Sequence, residues 1–520
     1  MQKLLKYGNI EAYINIRKKD RKMREKSFVF AILISLLLFM TNCGGNNGYT
    51  PSPPPVPIKI TGVTISPTTA TVNAGETLQF SASVQPGNAD QTIIYEICNY
   101  QGESCGPGKA LVGTISNTGL FTPMLPGALY SNLAFKIKAS AAADKTKFAI
   151  SDVTITDPKL FHDQWNAVAH MISGEDQFGR SLAIEPNDDV WLAGEVKLSE
   201  TMTSVSAVEV HSDGSLGGGI YYDLAPCSFR GAIITPNNTL YITGVLNNNV
   251  WLYATNTDLL HFKFQKTYSQ GIGKAIAFFY DRLYIAFEQS NAVWLLTVDL
   301  DGNQIGNSVK LKDNASVSSL LFYGGNLFYS GTINDASGNP IAVYVAKITV
   351  DCQEVWTRQI EGVLALSSLH ISADNNGFLY AGSTLPATTD ASGKFLWIKL
   401  DAVTGLEENR KAWDGGNPVV SVTNFGNAVC TSIDGTLTAV AGQLVQIGQE
   451  NPNAMDAGAI VYDSAGNEKG HTRWNLLPER SPATTIRSCV FDSQNNLILG
   501  GDIILQTSRD LLIVRFKTSQ

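Results

Sequence analysis

Seven times between residues 190 and 500 the chain repeats a short apolar and aromatic strand that closes on glycine or a stand-in. The strands are VWLAG ending at Gly194, LYITG at Gly244, LYIAF at Phe287, LFYSG at Gly331, FLYAG at Gly382, TAVAG at Gly442 and NLILG at Gly500. They are spaced by 50, 43, 44, 51, 60 and 58 residues. A further strand precedes each, as in AIITPNN or CVFDSQN, and another follows, as in VWLLTVDL, VYVAKITV or FLWIKLDA. A fourth often carries a tryptophan: Trp356, Trp413 and Trp474. Four strands per unit, with no helical period, cannot bury their own faces, so each unit must pack on its neighbours; this predicts a β-propeller.

The last unit stops after three strands. The missing fourth stands at the other end, where HDQWNAVAHMI, residues 162–172, puts Trp165 in the tryptophan position. Pairing it with the last unit closes the ring and removes an open sheet edge. The expectation is therefore seven blades over residues 159–520, one of them shared between the two ends. The third unit lacks its glycine, and the sixth carries an insertion around QENPNAMDAG. In wording, the units resemble a seven-bladed repeat family of bacterial surface proteins. The fifth is nearest, with Tyr380-Ala381-Gly382-Ser383-Thr384, then Phe395-Leu396-Trp397-Ile398-Lys399-Leu400-Asp401, then Trp413.

Residues 58–157 alternate apolar and polar positions in short runs broken by Gly and Pro, the pattern of a sandwich whose strands each hide one face. The stretch resembles the group 2 bacterial immunoglobulin-like domains through Ile65-Ser66-Pro67, Ala70-Thr71-Val72, Ala74-Gly75-Glu76-Thr77 and the run GTISNTGLFTP, residues 113–123. The predicted class is thus all-β: an immunoglobulin-like β-sandwich followed by a seven-bladed β-propeller. Cys98 and Cys105, seven apart, are expected to form a disulfide if the chain is exported.

Ahead of the sandwich, an uncharged, mainly apolar run from Phe28 to Met40 follows Arg21, Lys22, Arg24 and Lys26. Spanning a membrane as a helix takes about 20 residues, so thirteen are too few, and the layout is that of a signal peptide over residues 1–42, with Met23 an alternative start. The segment resembles a bacterial lipoprotein signal, in which Cys43 receives the lipid; Met40, Thr41 and Asn42 depart from the usual residues before that cysteine. Residues 43–57, rich in Gly, Asn and Pro, read as a tether. Removing residues 1–42 takes away nine of the 38 basic and three of the 46 acidic residues and leaves a formal charge of −14. An acidic exported chain is a poor nucleic-acid partner.

Chemistry is sparse in the sequence. The histidines, His162, His170, His211, His261, His370 and His471, have no paired metal-ligand spacing. Asp299–Asn303 begins like a calcium loop, but Lys310 stands where the bidentate Glu belongs, and similar strings elsewhere mark it as a turn. The string Gly102–Gly106 has the G-x-S-x-G form without the strand and helix that a nucleophile elbow needs. Asp401, Thr404, Gly405 and Trp413 resemble one copy of a quinoprotein docking motif that would recur in most blades, and are read as turn and core. Cys227, Cys352, Cys430 and Cys489 fit no metal or redox pattern; Cys430 and Cys489 either meet across blades or stay as buried thiols. No catalytic, metal or cofactor residue is assigned. The expected function is a non-catalytic envelope lipoprotein, held to the membrane by its N-terminal lipid and presenting a propeller to an unknown protein or glycan. The alternatives are a polysaccharide-cleaving propeller with paired carboxylates in its channel and an assembly scaffold inside the envelope.

Overall fold

In a computed structural model of the chain, the described residues are 58–518 apart from 100, 103–104, 110–111, 125–131, 170–174, 200–202, 223–226, 259–260, 364–368, 387–392, 417–423, 446–454, 477–482 and 506–507. The signal segment, Cys43, the tether, His170 and Ser104 lie outside them. The described secondary structure is strand throughout, and no helix is long and apolar enough to cross a membrane.

Strands from Gly62 to Thr156 form the sandwich. One sheet orders Thr69–Asn73, Asp144–Thr156, Leu133–Ala141 and Ile93–Cys98, the first pair parallel. A second orders Leu78–Gln79, Leu120–Pro123, Gly113–Ile115 and Gly108–Lys109, and Gly62–Ser66 pairs with Ser81–Gln85. Alternation turns Phe135, Ile137 and Ala139 inward, where they join Phe80, Ile97, Phe121 and Ile155 in one core. Phe121 and Phe135 meet with ring centroids 5.2 Å apart. Burying each such ring contributes about 1.5–3 kcal/mol.

Seven four-stranded antiparallel blades follow, and Lys59–Gln520 is one compact unit. The innermost strands, one to a blade, begin at Asp176, Cys227, Ile272, Ser319, His370, Phe425 and Thr484. The seventh blade takes three strands from the C-terminal end and its outermost strand, Asp163–Ala169, from before the first blade; Trp165 pairs with Arg515. This closure leaves no blade short of a strand.

The repeat glycines are there for close approach. A Cβ on Gly194, Gly244, Gly331 or Gly442 would overlap a carbonyl oxygen of the innermost strand or of the residues leading into it: that of Phe178, Ser228, Ser316 or Phe425. In the seventh blade the residue with this role is Gly501, whose Cβ would overlap the Thr485 carbonyl, and not Gly500, which instead faces Leu182 of the first blade. In the third blade Phe287 takes the position, opposite Gly273 across the ladder.

The fourth-strand aromatics also have a common task. Trp165, Phe264 and Trp356 each lie against the positive-φ glycine of the next blade's outer turn, Gly214, Gly302 and Gly405. Side chains at those glycines would strike the rings. Trp474 reaches the closing strand through Nε1, which donates to Asp163 at 3.3 Å.

Candidate functional site

Five innermost strands carry a β-bulge at one shared register. The ladder slips between Gly179 and Ser181, Phe229 and Gly231, Gly273 and Ala275, Gly426 and Ala428, and Ile486 and Ser488. The extra residues are Arg180, Arg230, Lys274, Asn427 and Arg487. A bulge frees one residue from the ladder and re-aims its side chain, and all five line one axial cavity of about 380 Å³ together with Glu288, Ser318 and His370. The fourth blade slips by one residue at the same place, between the Ala315–Ile333 bridge and the Ser319–Ser330 pair, and supplies Ser318; the fifth, whose described ladder begins at His370, supplies that histidine. Every blade thus contributes at least one side chain to the axis.

In four blades the residue after the repeat glycine, or after Phe287 in the third, meets the ring residue of its own blade. Arg180 meets Glu195 through Nε at 3.1 Å and a terminal nitrogen at 2.7 Å. Lys274 meets Glu288 at 2.9 Å, and Arg487 meets Asp502 at 3.4 Å. Asn427 donates to Gln443 at 3.1 Å. Ser318 and Thr332 line the cavity in the fourth blade. In the second blade Val245 follows Gly244, so Arg230 has no carboxylate of its own and takes Glu195 of the first blade at 2.7 Å. Asp502 in turn accepts from Arg509. Around the channel, Arg180, Arg230, Lys274, Arg487 and Arg509 therefore stand against Glu195, Glu288 and Asp502.

Burial raises the cost of ionising Glu195, but Arg230 and Arg180 outweigh it and hold the carboxyl below its usual range. Burial, joined by the like charges of Arg180 and Arg509, lowers Arg487 despite Asp502. Burial also pushes His370 down to about 4, which leaves a neutral imidazole at pH 7. Phe178 has guanidiniums on its ring, Arg180 at 5.5 Å and Arg509 at 4.9 Å, contacts worth about 0.5–1 kcal/mol each. The cavity can accept an anion on one side and hydrogen-bond a neutral polar group on the other.

The residues singled out in the sequence lie elsewhere. Cys98 and Cys105 are joined in the sandwich, and Cys430 and Cys489 are joined between the sixth and seventh blades. Cys352 is free, and burial pushes its thiol up. Asp299 accepts from the Asp301 and Asn303 amides at 3.0 and 2.7 Å, and Asp335 and Asp463 do the same in the equivalent turns. Asp401 accepts from the Thr404 amide and hydroxyl, with Gly405 packed on Trp356. His211 joins Asp189 and Glu209, potential ligand atoms lying within 4.8 Å of one another. Asp189 and Glu209 already accept from the Ser212 and Gly218 amides, which makes this a turn lock. His471 lies between Asp157 at 2.9 Å and Glu468 at 2.6 Å and ties the linker after the sandwich to the sixth blade.

Sequence reading missed the ring because it began two of the inner strands too late, at AIITPNN and CVFDSQN, two residues beyond Arg230 and Arg487. The signal was present: FGRS, SFRG, IGKA and TIRS, residues 178–181, 228–231, 272–275 and 485–488, each place a cation at one offset inside an apolar strand.

Residues 59–128 match the model of the bacterial Ig-like domain (group 2), a match that points to a bacterial extracellular or surface protein. No curated protein matches the chain. Similar solved structures include the Neurospora crassa Pan2 WD40 domain, 10% identical, covering 70% of this chain and 98% of that one with a TM-score of 0.45. Others are the Dos1 propeller, 10% identical over 68% and 95% with a TM-score of 0.43, and a protein of unknown function from Dyadobacter fermentans DSM 18053, 7% identical over 69% and 99% with a TM-score of 0.42. The propeller itself is defined by the strand pairing above. Sandwich and propeller together make a scaffold of the binding or interaction kind.

Proposed function

We propose that the chain is a non-catalytic envelope lipoprotein. A lipid on Cys43 holds it to the membrane, the sandwich carries the propeller outward, and the propeller binds a protein or glycan at the axial cavity. The observation that carries this reading is the convergence on a single cavity of side chains from all seven blades, of a different kind from blade to blade. Rigid scaffolds that vary a few converging positions are built for recognition. The carboxylates Glu195, Glu288 and Asp502 are each engaged by a guanidinium or ammonium group, an arrangement suited to holding charge in place.

The test has two parts. Labelled palmitate should enter the chain and be lost on Cys43→Ser, and protease added to intact cells should remove the propeller. The purified full chain should then retain a ligand from a glycan array or an overlay of envelope proteins. Absence of label with an unaltered Cys43 would overturn the anchor. Turnover of a polysaccharide would overturn the non-catalytic reading.

A further inference from the structure

We infer that the axial cavity takes an oxyanion-bearing sugar residue, a carboxylate or phosphate on a polyol, from an acidic glycan; the inference rests on the binding reading above and names its ligand class.

The charge on the cavity is uneven in a way the repeat explains. Where a blade brings a charged residue to the axis, it brings an opposite charge just after the repeat glycine; where it brings a short polar one, a polar partner follows. Arg230 breaks the rule, with Val245 in the partner position, and so leaves a cation beyond what its blade neutralises. Among the described residues Arg487 engages its carboxylate through Nε alone, at 3.4 Å, so its terminal nitrogens remain available. Arg230 uses one terminal nitrogen, on Glu195 and the Phe229 carbonyl. Guanidinium forks in this state match the paired oxygens of a carboxylate or phosphate. They face a cavity in a protein whose formal charge is −8, so the cationic lining runs against the overall balance.

The rest of the lining selects the sugar. Ser316, Ser318, Thr332, Asn427 and the neutral His370 supply hydroxyl, amide and imidazole groups opposite the cations, and only Val317 and Pro340 are apolar. An acidic peptide side chain offers methylenes to such a wall, whereas a sugar acid offers hydroxyls. A cavity of about 380 Å³ falls within the usual range for small-ligand sites.

The experiment is calorimetric titration of the full chain with trigalacturonate, sialyllactose, glucose 6-phosphate and neutral galactotriose. At least one anionic probe should bind, and the three separate uronate, sialate and phosphate sources. Galactotriose should not bind comparably. Arg487→Gln and Arg230→Gln should each weaken binding at least tenfold, whereas Lys310→Gln, at an exposed outer-strand pair, should leave it unchanged. Folding is preserved by design, because Asp502 keeps Arg509 and Glu195 keeps Arg180; thermal melts check this. Equal affinity for galactotriose, or anion binding indifferent to both arginine variants, overturns the inference. If no anionic probe binds but the chain retains a protein or neutral glycan, the inference falls and the binding reading stands. If it retains nothing, both fall.

Discussion

The propeller ring has two arcs. On one, the seventh, first, second and third blades present the cations Arg487, Arg180, Arg230 and Lys274; on the other, the fourth and fifth present the uncharged Ser318 and His370. Asn427 of the sixth blade is bulged but neutral. The bulge therefore provides a direction for the side chain, and the identity of the residue and its partner decides the charge.

Removing the carboxylate that two guanidiniums share should break the charged arc most severely. Glu195→Ala is expected to destabilise the propeller by about 3 kcal/mol, because it strands Arg180 and Arg230 together. On the opposite arc Thr384→Ala, which removes one bond to the Gly426 amide at 3.0 Å, should cost about 1 kcal/mol. Urea titration of both variants checks the contrast, and equal losses would mean that the arcs do not differ energetically.

Next comes the close approach beside the bulge. Gly442→Ala would drive a Cβ into the Phe425 carbonyl, while Gly382→Ala in the fifth blade would meet the Val429 Cβ at 2.8 Å. The first should cost about 2–3 kcal/mol and the second about 1 kcal/mol; thermal melts would reveal a reversed order.

Two histidines should give pH dependences of opposite sign. Burial lowers His370 to about 4, so between its unfolded value of about 6.5 and 4 the unfolded chain binds more protons, and stability falls as pH falls through that window. His370→Gln should flatten that slope. At the linker, burial opposes protonation of His471, but Asp157 and Glu468 raise it overall. Its contribution is full below about pH 6.5 and is lost as pH rises through the raised folded value. Hydrogen bonding to His471 lowers Glu468, so the contribution of this carboxylate is lost on acidification through its folded value. His471→Gln should therefore remove stability in the mildly acidic range and little in alkali. Melts from pH 4 to 9 distinguish the two, and matching slopes would refute the assignment.

The smallest effect should come from adding charge to the uncharged arc. Ser318→Lys is expected to change stability by no more than about 0.5 kcal/mol, with its ammonium left to the open cavity. A loss of several kcal/mol would show that the neutral arc is as tightly constrained as the charged one.

Much of the fold was readable because its determinants are local. Alternation, glycine at the close crossing and Asp-Gly turns are all set within a strand or hairpin, and the closing strand could be found because a missing fourth strand has a fixed length and an aromatic marker. The same locality misplaced one residue: NLILGG offers two adjacent glycines, and only the register across the ladder selects Gly501 over Gly500.

By itself the sequence determined an all-β chain, a sandwich followed by seven repeated blades, and a ring closed by its two ends, since each follows from periodicity over a few residues. The tertiary structure decided which side chains meet. Arg180 and Arg487 are 307 positions apart yet line one cavity, Arg230 borrows the carboxylate of another blade, and Cys430 joins Cys489. Such meetings depend on bulges that add one residue to a ladder and on closure that brings distant blades around a common axis, and neither is encoded within a single strand.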